Sequence, residues 1–351
     1  MPEAAREQAS LKSRVDRELE RFVRAESEAL LALDDELAPL VDVLTTVTAR
    51  GKRLRSAFCY WGWRAAGQPD SDAMVRAAAS MELVHAAAVV HDDIIDDSGL
   101  RHGLPTAHVA LREAFLDGSR PKARARSLAM LAGDLLMAWA GQMFAGCGLP
   151  AAYLGQARDL WAVLARELIA GEALEILHTG GTSDVRRSLK VIRYKTAKYT
   201  VEHPLHIGAG LAGADPALRE VFSDYGLPLG EAFQLRDDLI GLFGDPATTG
   251  KPNTDDISGG RPTALLALTQ QAAGPAERRE LTALLGRRTL TCPQLSRVRA
   301  VVEGTGARDR VESMITERVT LAVRALGGAG LPDLAHRSLT RLATAATSRP
   351  D

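Results

Sequence analysis

The sequence predicts an all-α protein, and three observations carry that expectation. Aromatic residues make up only 5% of the chain. The long segments are rich in Ala, Leu, Glu and Arg, all good helix formers. No stretch sustains the period-two alternation of β-branched residues that a half-buried strand needs.

Taken in order, helices are expected at 11–33, 39–48, 54–66, 71–96, 107–114, 123–147, 151–178, 185–198, 201–211, 216–243, 261–272, 276–285, 292–303, 307–325 and 332–347, each an Ala/Leu-rich run closed by breakers. Gly67-Gln68-Pro69-Asp70, Gly148-Leu149-Pro150, Gly180-Gly181 and Ala212-Gly213-Ala214-Asp215 are the clearest ends. Asp215 is a good N-cap, and Pro216 follows at a first-turn position where its missing N–H costs nothing. No linker, repeat or low-complexity tract divides the chain, so a single domain over 1–351 is expected, with a frayed tail at 348–351.

Composition narrows the function classes. Forty-three Lys and Arg nearly cancel 44 Asp and Glu, leaving a net charge of −1 and no basic footprint for nucleic acid. Three widely spaced cysteines, Cys59, Cys147 and Cys292, form no C-x-x-C pair, which argues against a disulfide framework and fits a reducing, cytoplasmic location. The first 28 residues mix both charges without an apolar core, so no signal peptide is expected. The stretch 128–149 has the length of a membrane span but contains Asp134 and Gln142, and it is read as a buried core helix rather than a transmembrane segment.

The sharpest local signal is His91-Asp92-Asp93-Ile94-Ile95-Asp96-Asp97, four aspartates ending an apolar run. Asp92 and Asp96 lie one helical turn apart on one face, where like charges destabilise a bare helix and a divalent cation reverses the sign. A second cluster, Gln234-Leu235-Arg236-Asp237-Asp238-Leu239-Ile240, again ends a long apolar helix, with Asp245 after it. Two acidic helix ends suggest two walls of one cavity. Mg²⁺ held by few carboxylates usually completes its octahedron with phosphate oxygens, so the implied ligand is a diphosphate. Cations stand near both motifs: Gly51-Lys52-Arg53-Leu54-Arg55 opens a helix, Arg101-His102-Gly103 follows the first motif, Lys195-Thr196 lies on another helix, and Gly250-Lys251-Pro252 trails the second motif.

In this order, Glu82-Leu83-Val84-His85 through Asp97, Arg101 to His108, Tyr194-Lys195-Thr196-Ala197, Phe233 to Asp238 and Gly244-Asp245 to Lys251-Pro252 resemble the trans-isoprenyl diphosphate synthases, the polyprenyl synthetase family, over about 51–263. Within that family the resemblance is to bacterial geranylgeranyl diphosphate synthases. It implies an all-α isoprenoid synthase fold with helices around a central cavity. It also implies a homodimer, three Mg²⁺ per site, and condensation of isopentenyl diphosphate with an allylic diphosphate. By the same resemblance, Asp92, Asp96 and Asp237 are direct Mg²⁺ ligands, with Asp93 and Asp238 supporting. Arg101, Lys195, Thr196, Gln234 and Lys251 contact the allylic diphosphate. Lys52, Arg55, His85 and His102 belong to the isopentenyl diphosphate site.

Three departures stand out. Gly241 replaces the third aspartate of the second motif, Glu172 and Glu175 stand in a block usually read Gln and Asp, and His102 replaces the second of two arginines. An imidazole has a reference pKa of about 6.5. Isopentenyl diphosphate binding is therefore expected to weaken as pH rises through that value, and a Michaelis constant that stays flat from about pH 6 to 8 overturns this.

Product length is expected to follow what blocks the tunnel beneath the first motif. The family's bulky aromatic five residues before the first aspartate is here Ala87, beside Ala88. The next obstacles are Leu83 or Val84, then Ser80, with Trp139 or Met143 as a floor. One helical turn, about 5.4 Å, is close to one isoprene unit, and the expected product is C20. A class I terpene cyclase and a non-catalytic partner subunit are the competing readings. The first should lack the cations Lys52, Arg55 and His85, and the second should have lost the acidic ligands.

Overall fold

In the computed structural model, residues 3–115, 120–181, 184–245, 253–287 and 289–347 are described. The elements they form fall into two compact units. Lys251 and the expected tail at 348–351 lie outside the described residues.

The first unit comprises residues 1–157, 207–214 and 332–338. Its α1 (Glu3–Leu31) buries Leu11, Val15, Leu19 and Val23, a stripe at four-residue steps. It starts eight residues earlier than expected because its first turns bury Ala4 and Ala5, an apolar face too small to stand out among Arg and Glu. Asp34 caps a 3₁₀ turn (Asp35–Leu37) by accepting from the Glu36 amide at 2.9 Å. The segments α2 (Ala38–Ala49) and α3 (Leu54–Ala65) follow, and α3 is buried on nearly every face. Next comes α4 (Asp72–Ile95), capped by Ser71, and then α5 (Ala107–Ala114) and α6 (Pro121–Ala145). A Cβ at Gly133 would lie 2.2 Å from the His91 ring, so α4 and α6 touch through a glycine.

Between α4 and α5 the chain forms a hairpin that the sequence reading missed, β1 (Leu100–Arg101) antiparallel to β2 (Leu104–Pro105). His102 and Gly103, at φ 51° and 75°, occupy its turn, as a two-residue hairpin requires.

By length and composition, both α4 and α6 could cross a membrane, with 72% and 44% of their most apolar stretches buried. The expectation that 128–149 is buried all round is therefore corrected. The helix is α6, and it exposes Met130 (51%) and Leu131 (53%).

The second unit comprises 158–206, 215–331 and 339–351. The last six turns or so of α7 (Ala151–His178) belong to it, and α8 (Val185–Val191) runs directly into a π-helix (Ile192–Glu202) and α9 (His203–Leu211), of which residues 207–211 count with the first unit. Two separate α-helices with a break near 199–200 were expected here, and the correction is one continuous rod with a wide middle. Against it packs α10 (Pro216–Phe243), capped by Asp215 on the Leu218 amide at 2.9 Å. Cβ atoms at Gly226 and Gly230 would lie 2.9 and 2.3 Å from the Cα atoms of Glu202 and Ala197, so glycines let the two backbones meet.

The unit continues through α11 (Asp255–Ser258), α12 (Ala264–Ala272), α13 (Pro275–Leu284), α14 (Cys292–Gly304), α15 (Ala307–Leu326) and, from residue 339 on, α16 (Asp333–Thr347). Leu235, Leu239 and Leu242 of α10 share a core with Leu265, Val302, Val311 and Ile315. The helix expected from 261 begins at Ala264, because Thr263 caps it and the backbone before it turns back on Asp256.

Candidate active site

The acidic motifs fall in different units, and each builds its own constellation. In the first unit, α3 opens with Arg53 in a left-handed conformation, φ 56°. Arg53 is buried, donating from Nε to Asp16 at 2.7 Å and from Nη2 to the Thr48 carbonyl at 2.8 Å, so it anchors the helix start. Glu82 of α4 caps that start: the Ser56 amide and hydroxyl both donate to its Oε1, at 2.9 and 3.0 Å. This Glu82–Ser56 clamp fixes Arg55, which is buried, and exposed Lys52 relative to His85 one turn beyond Glu82. Burial first, then the positive charges of Arg55, Arg101, Arg53 and His102, push the His85 pKa well below 6.5. Three expected isopentenyl diphosphate residues, Arg55, His85 and His102, thus share one cationic neighbourhood.

A stability prediction follows from the sign of that shift. The unfolded chain takes up a proton on His85 near pH 6.5 while the folded chain resists it. The His85 contribution is therefore intact above pH 6.5 and is lost as pH falls below it, by up to about 1.4 kcal/mol per pH unit. Denaturant unfolding of wild type and His85→Gln at pH 7.5 and 5.5 isolates this contribution. The wild type is expected to lose more stability between the two pH values, and equal losses overturn it.

The hairpin aims Arg101 at the first acidic motif. Its Nε and Nη2 chelate Asp93, at 2.9 and 2.7 Å, and Nη2 also reaches Asp92 at 3.0 Å. Asp93 is 3% exposed and engaged by the guanidinium, so its carboxylate orients Arg101. Asp97 is engaged by Arg126 at 3.1 Å and Lys122 at 3.7 Å. The Asp96 amide donates to the Asp92 carbonyl at 2.9 Å, which keeps the two carboxylates one turn apart as expected. Below them on α4, Ala87, Leu83, Val84 and Ser80 are fully buried and Ala88 is half-buried. On α6, Met143 is buried, and Trp139 is buried with its ring edge-on to Phe22, centroids 6.1 Å apart.

In the second unit the π-helix carries Lys195 and Thr196. Its backbone lies so close to α7 that a Cβ at Gly171 would be 2.3 Å from the Lys195 nitrogen. Lys195 pairs with Glu172 at 2.8 Å and Glu175 at 2.6 Å, which gives the unusual Glu172 a role in holding this ammonium. Thr196 Oγ1 donates to Gln234 Oε1 at 2.8 Å, and Gln234 Nε2 donates to Asp238 Oδ1 at 2.9 Å. Asp237 is half-exposed beside buried Asp238. Burial, the nearby Asp256, then Asp237 and Glu175, hold the Asp238 carboxyl well above the usual carboxylate range, against the Gln234 hydrogen bond.

Sequence reasoning assigned no role to Glu82, Asp256 or Arg261, although Asp255-Asp256 is a further acidic pair downstream of the second motif. Arg261 donates to Asp256 Oδ1 at 3.3 Å and lies 3.9 Å from Glu175.

Among the described residues, no three His, Cys, Asp or Glu side chains are already gathered as a metal-holding group. The donor set nevertheless fits Mg²⁺, which prefers oxygen and binds through one or two carboxylates together with phosphate oxygens and water. Asp238 Oδ2 is buried without a hydrogen-bond partner, and a hydrated cation would satisfy it.

The polyprenyl synthetase family model matches residues 38–302. A geranylfarnesyl diphosphate synthase of Aeropyrum pernix is 32% identical over 77% of this chain and 81% of its own. A (2E,6E)-farnesyl diphosphate synthase of Mycobacterium tuberculosis is 31% identical over 84% and 78%. The crystal structure of a geranylgeranyl pyrophosphate synthase from Corynebacterium glutamicum, complexed with isoprenyl diphosphate and magnesium, superposes with a TM-score of 0.93 and 34% identity, over 97% of this chain and 99% of that one. The three names specify three different products.

Proposed function

The chain belongs to the polyprenyl synthetase family of prenyl diphosphate synthases, and from that premise we propose that it condenses isopentenyl diphosphate with an allylic diphosphate to release geranylgeranyl diphosphate, C20. The observation that carries the two-substrate reading is that Arg55, Arg53 and His102 gather around His85 in addition to Arg101, the arginine that serves the acidic motif. A terpene cyclase has no second diphosphate to hold there.

Lys52, Arg55, His85 and His102 bind the isopentenyl diphosphate. Arg101, Lys195, Thr196, Gln234 and Lys251 bind the allylic diphosphate, and Asp92, Asp96 and Asp237 hold Mg²⁺ to it. When bound, Mg²⁺ neutralises charge building on the leaving diphosphate. Arg101, oriented by Asp93, and Lys195, steadied by Glu172 and Glu175, are fixed donors for the same charge and need little reorganisation as it develops. The allylic C1–O bond breaks with its electron pair leaving on diphosphate. The isopentenyl double bond attacks C1, a C–C bond forms, and the proton next to the resulting cation passes to the released diphosphate. No side chain is needed as base.

The C20 assignment is supported by fully buried Ala87, with larger Leu83 and Val84 one turn deeper. A homodimer is proposed from apolar side chains left exposed in the single chain: Met130 and Leu131 on α6, and Ile169 (64%), Ile176 (49%) and Leu177 (77%) on α7. Cys59, Cys147 and Cys292 are free thiols, consistent with a cytoplasmic enzyme.

The test is product analysis of purified protein with Mg²⁺, labelled isopentenyl diphosphate and, separately, dimethylallyl, geranyl or farnesyl diphosphate. A C20 diphosphate is expected. A C15 or C25 diphosphate overturns the length assignment alone, whereas no incorporation with any starter favours the cyclase or partner-subunit reading.

A further inference from the structure

Eleven consecutive residues of π-helix, Ile192–Glu202, need a reason to stay wide, because such turns seldom outlast a single one and gather at functional sites. The close backbone approach at Gly171, Gly226 and Gly230 admits them but does not fix where they stop. A charged cluster does. Glu167 of α7 is half-buried, and its Oε2 lies 3.0 Å from Lys198 Nζ and 2.8 Å from His203 Nε2. Lys198 belongs to the π-segment, whereas His203 is the first residue of α9. One carboxylate oxygen thus ties the last wide turn to the residue that follows it, at the point where α-helix resumes.

Other contacts tighten the cluster. Lys198 also pairs with buried Glu202 along the segment, at 3.2 Å, and its ammonium lies 5.7 Å from the centre of the Tyr194 ring, the neighbour of Lys195. His203 is 3% exposed and its Nδ1 is buried without a hydrogen-bond partner, so Nε2 on Glu167 is the ring's polar anchor. Burial opposes charge on Glu167, yet donation by Lys198 and His203 brings its carboxyl below the ordinary pKa, and the clamp is ionised.

We propose that Glu167 is a positioning residue: with Lys198 and His203 it locks the register of the π-segment against α7, and that register presents Lys195 to the allylic diphosphate. The inference rests on the assignment of Lys195 in the functional reading above. Two grips from α7 hold the segment, Glu172 and Glu175 on Lys195 and, earlier on the same helix, Glu167 on Lys198. Wide turns advance each side chain through a smaller angle than α-helical ones. Relaxation to α-helix at Lys198 therefore rotates Lys195 and Thr196 away from Glu172, Glu175 and Gln234, the partners that now orient them.

The experiment is steady-state kinetics of the full chain with Mg²⁺, geranyl diphosphate and isopentenyl diphosphate varied in turn, for wild type, Glu167→Gln, Lys198→Met, Lys195→Ala and each of the first two combined with Lys195→Ala. Unfolding midpoints are measured alongside. Glu167→Gln keeps the shape and a hydrogen bond to His203 while removing the charge, and Lys198→Met breaks the clamp from its other side. Each is expected to lower kcat/KM for geranyl diphosphate about tenfold, the scale on which misplacing a positioned group costs rate. The Michaelis constant for isopentenyl diphosphate should not move. On the Lys195→Ala background neither change is expected to cost more than about a further twofold, because the group they position is gone. A merely structural role predicts equal losses on both backgrounds, and that result overturns the inference. Wild-type kcat/KM in folded Glu167→Gln and Lys198→Met, with Lys195→Ala impaired, also overturns it and leaves the functional reading standing. An active Lys195→Ala that matches wild type removes Lys195 from the allylic site, and the inference with it.

Discussion

Asp237→Asn is expected to lower turnover by about 10²- to 10³-fold, the usual cost of removing one group aimed at charge that develops in the transition state. The Michaelis constant for isopentenyl diphosphate should stay unchanged. The substitution preserves volume and the α10 backbone, so what it removes is the negative charge proposed to hold Mg²⁺ to the leaving group. Neighbouring Asp238 cannot take over, because it is buried and its carboxyl is held well above the usual range by burial and by Asp256, Asp237 and Glu175. The residues assigned to isopentenyl diphosphate, Lys52, Arg55 and His85, belong to the α3–α4 clamp instead. Steady-state kinetics with each substrate varied in turn separate the two effects. A turnover within tenfold of wild type removes Asp237 from the metal assignment, and a raised constant for isopentenyl diphosphate argues that the two subsites are not independent.

Much of this was legible because its determinants are local. The bounds of α5, α7 and α10 agree with those read from the sequence, since Pro216 behind the Asp215 cap leaves little freedom in where α10 starts. The pairing of Asp92 with Asp96 followed from helical spacing alone. What was missed depends on contacts distant in sequence, or on a period that composition does not encode. Eleven residues of π-helix at Ile192–Glu202 have the same residue types as an α-helix, and only the close approach of Gly171, Gly226 and Gly230 marks the site. Glu82 is one more acidic residue in an apolar run until α3 is seen to end on it. Asp93, read as supporting the metal ligands, also anchors Arg101 because the hairpin folds back. That fold-back requires positive φ at His102 as well as at Gly103, and in the sequence only the glycine announces it.

Ala87→Phe is expected to shift the main product from C20 to C15. Ala87 is completely buried on α4, five residues before Asp92, and Leu83 lies one turn further from the acidic motif, also completely buried. A turn of helix rises about 5.4 Å, close to the length of one extended isoprene unit. An aromatic ring at 87 therefore blocks the chain one unit earlier than Leu83 does. The ring must find room in a packed interior, at a cost of about 1–3 kcal/mol in stability. Thermal unfolding should accordingly be followed alongside products separated by chain length. The complementary change, Leu83→Ala, removes the deeper obstacle and is expected to extend part of the product to C25, since the remaining limits are then Ser80 and Trp139. If folded Ala87→Phe still makes C20 at an undiminished rate, the growing chain does not pass this face of α4, and the length determinant must lie on another helix. If Ala87→Phe shortens the product while Leu83→Ala leaves it at C20, the floor is already set at the level of Val84 or by Trp139 on α6, whose ring is pinned against Phe22 and cannot swing aside without breaking that contact.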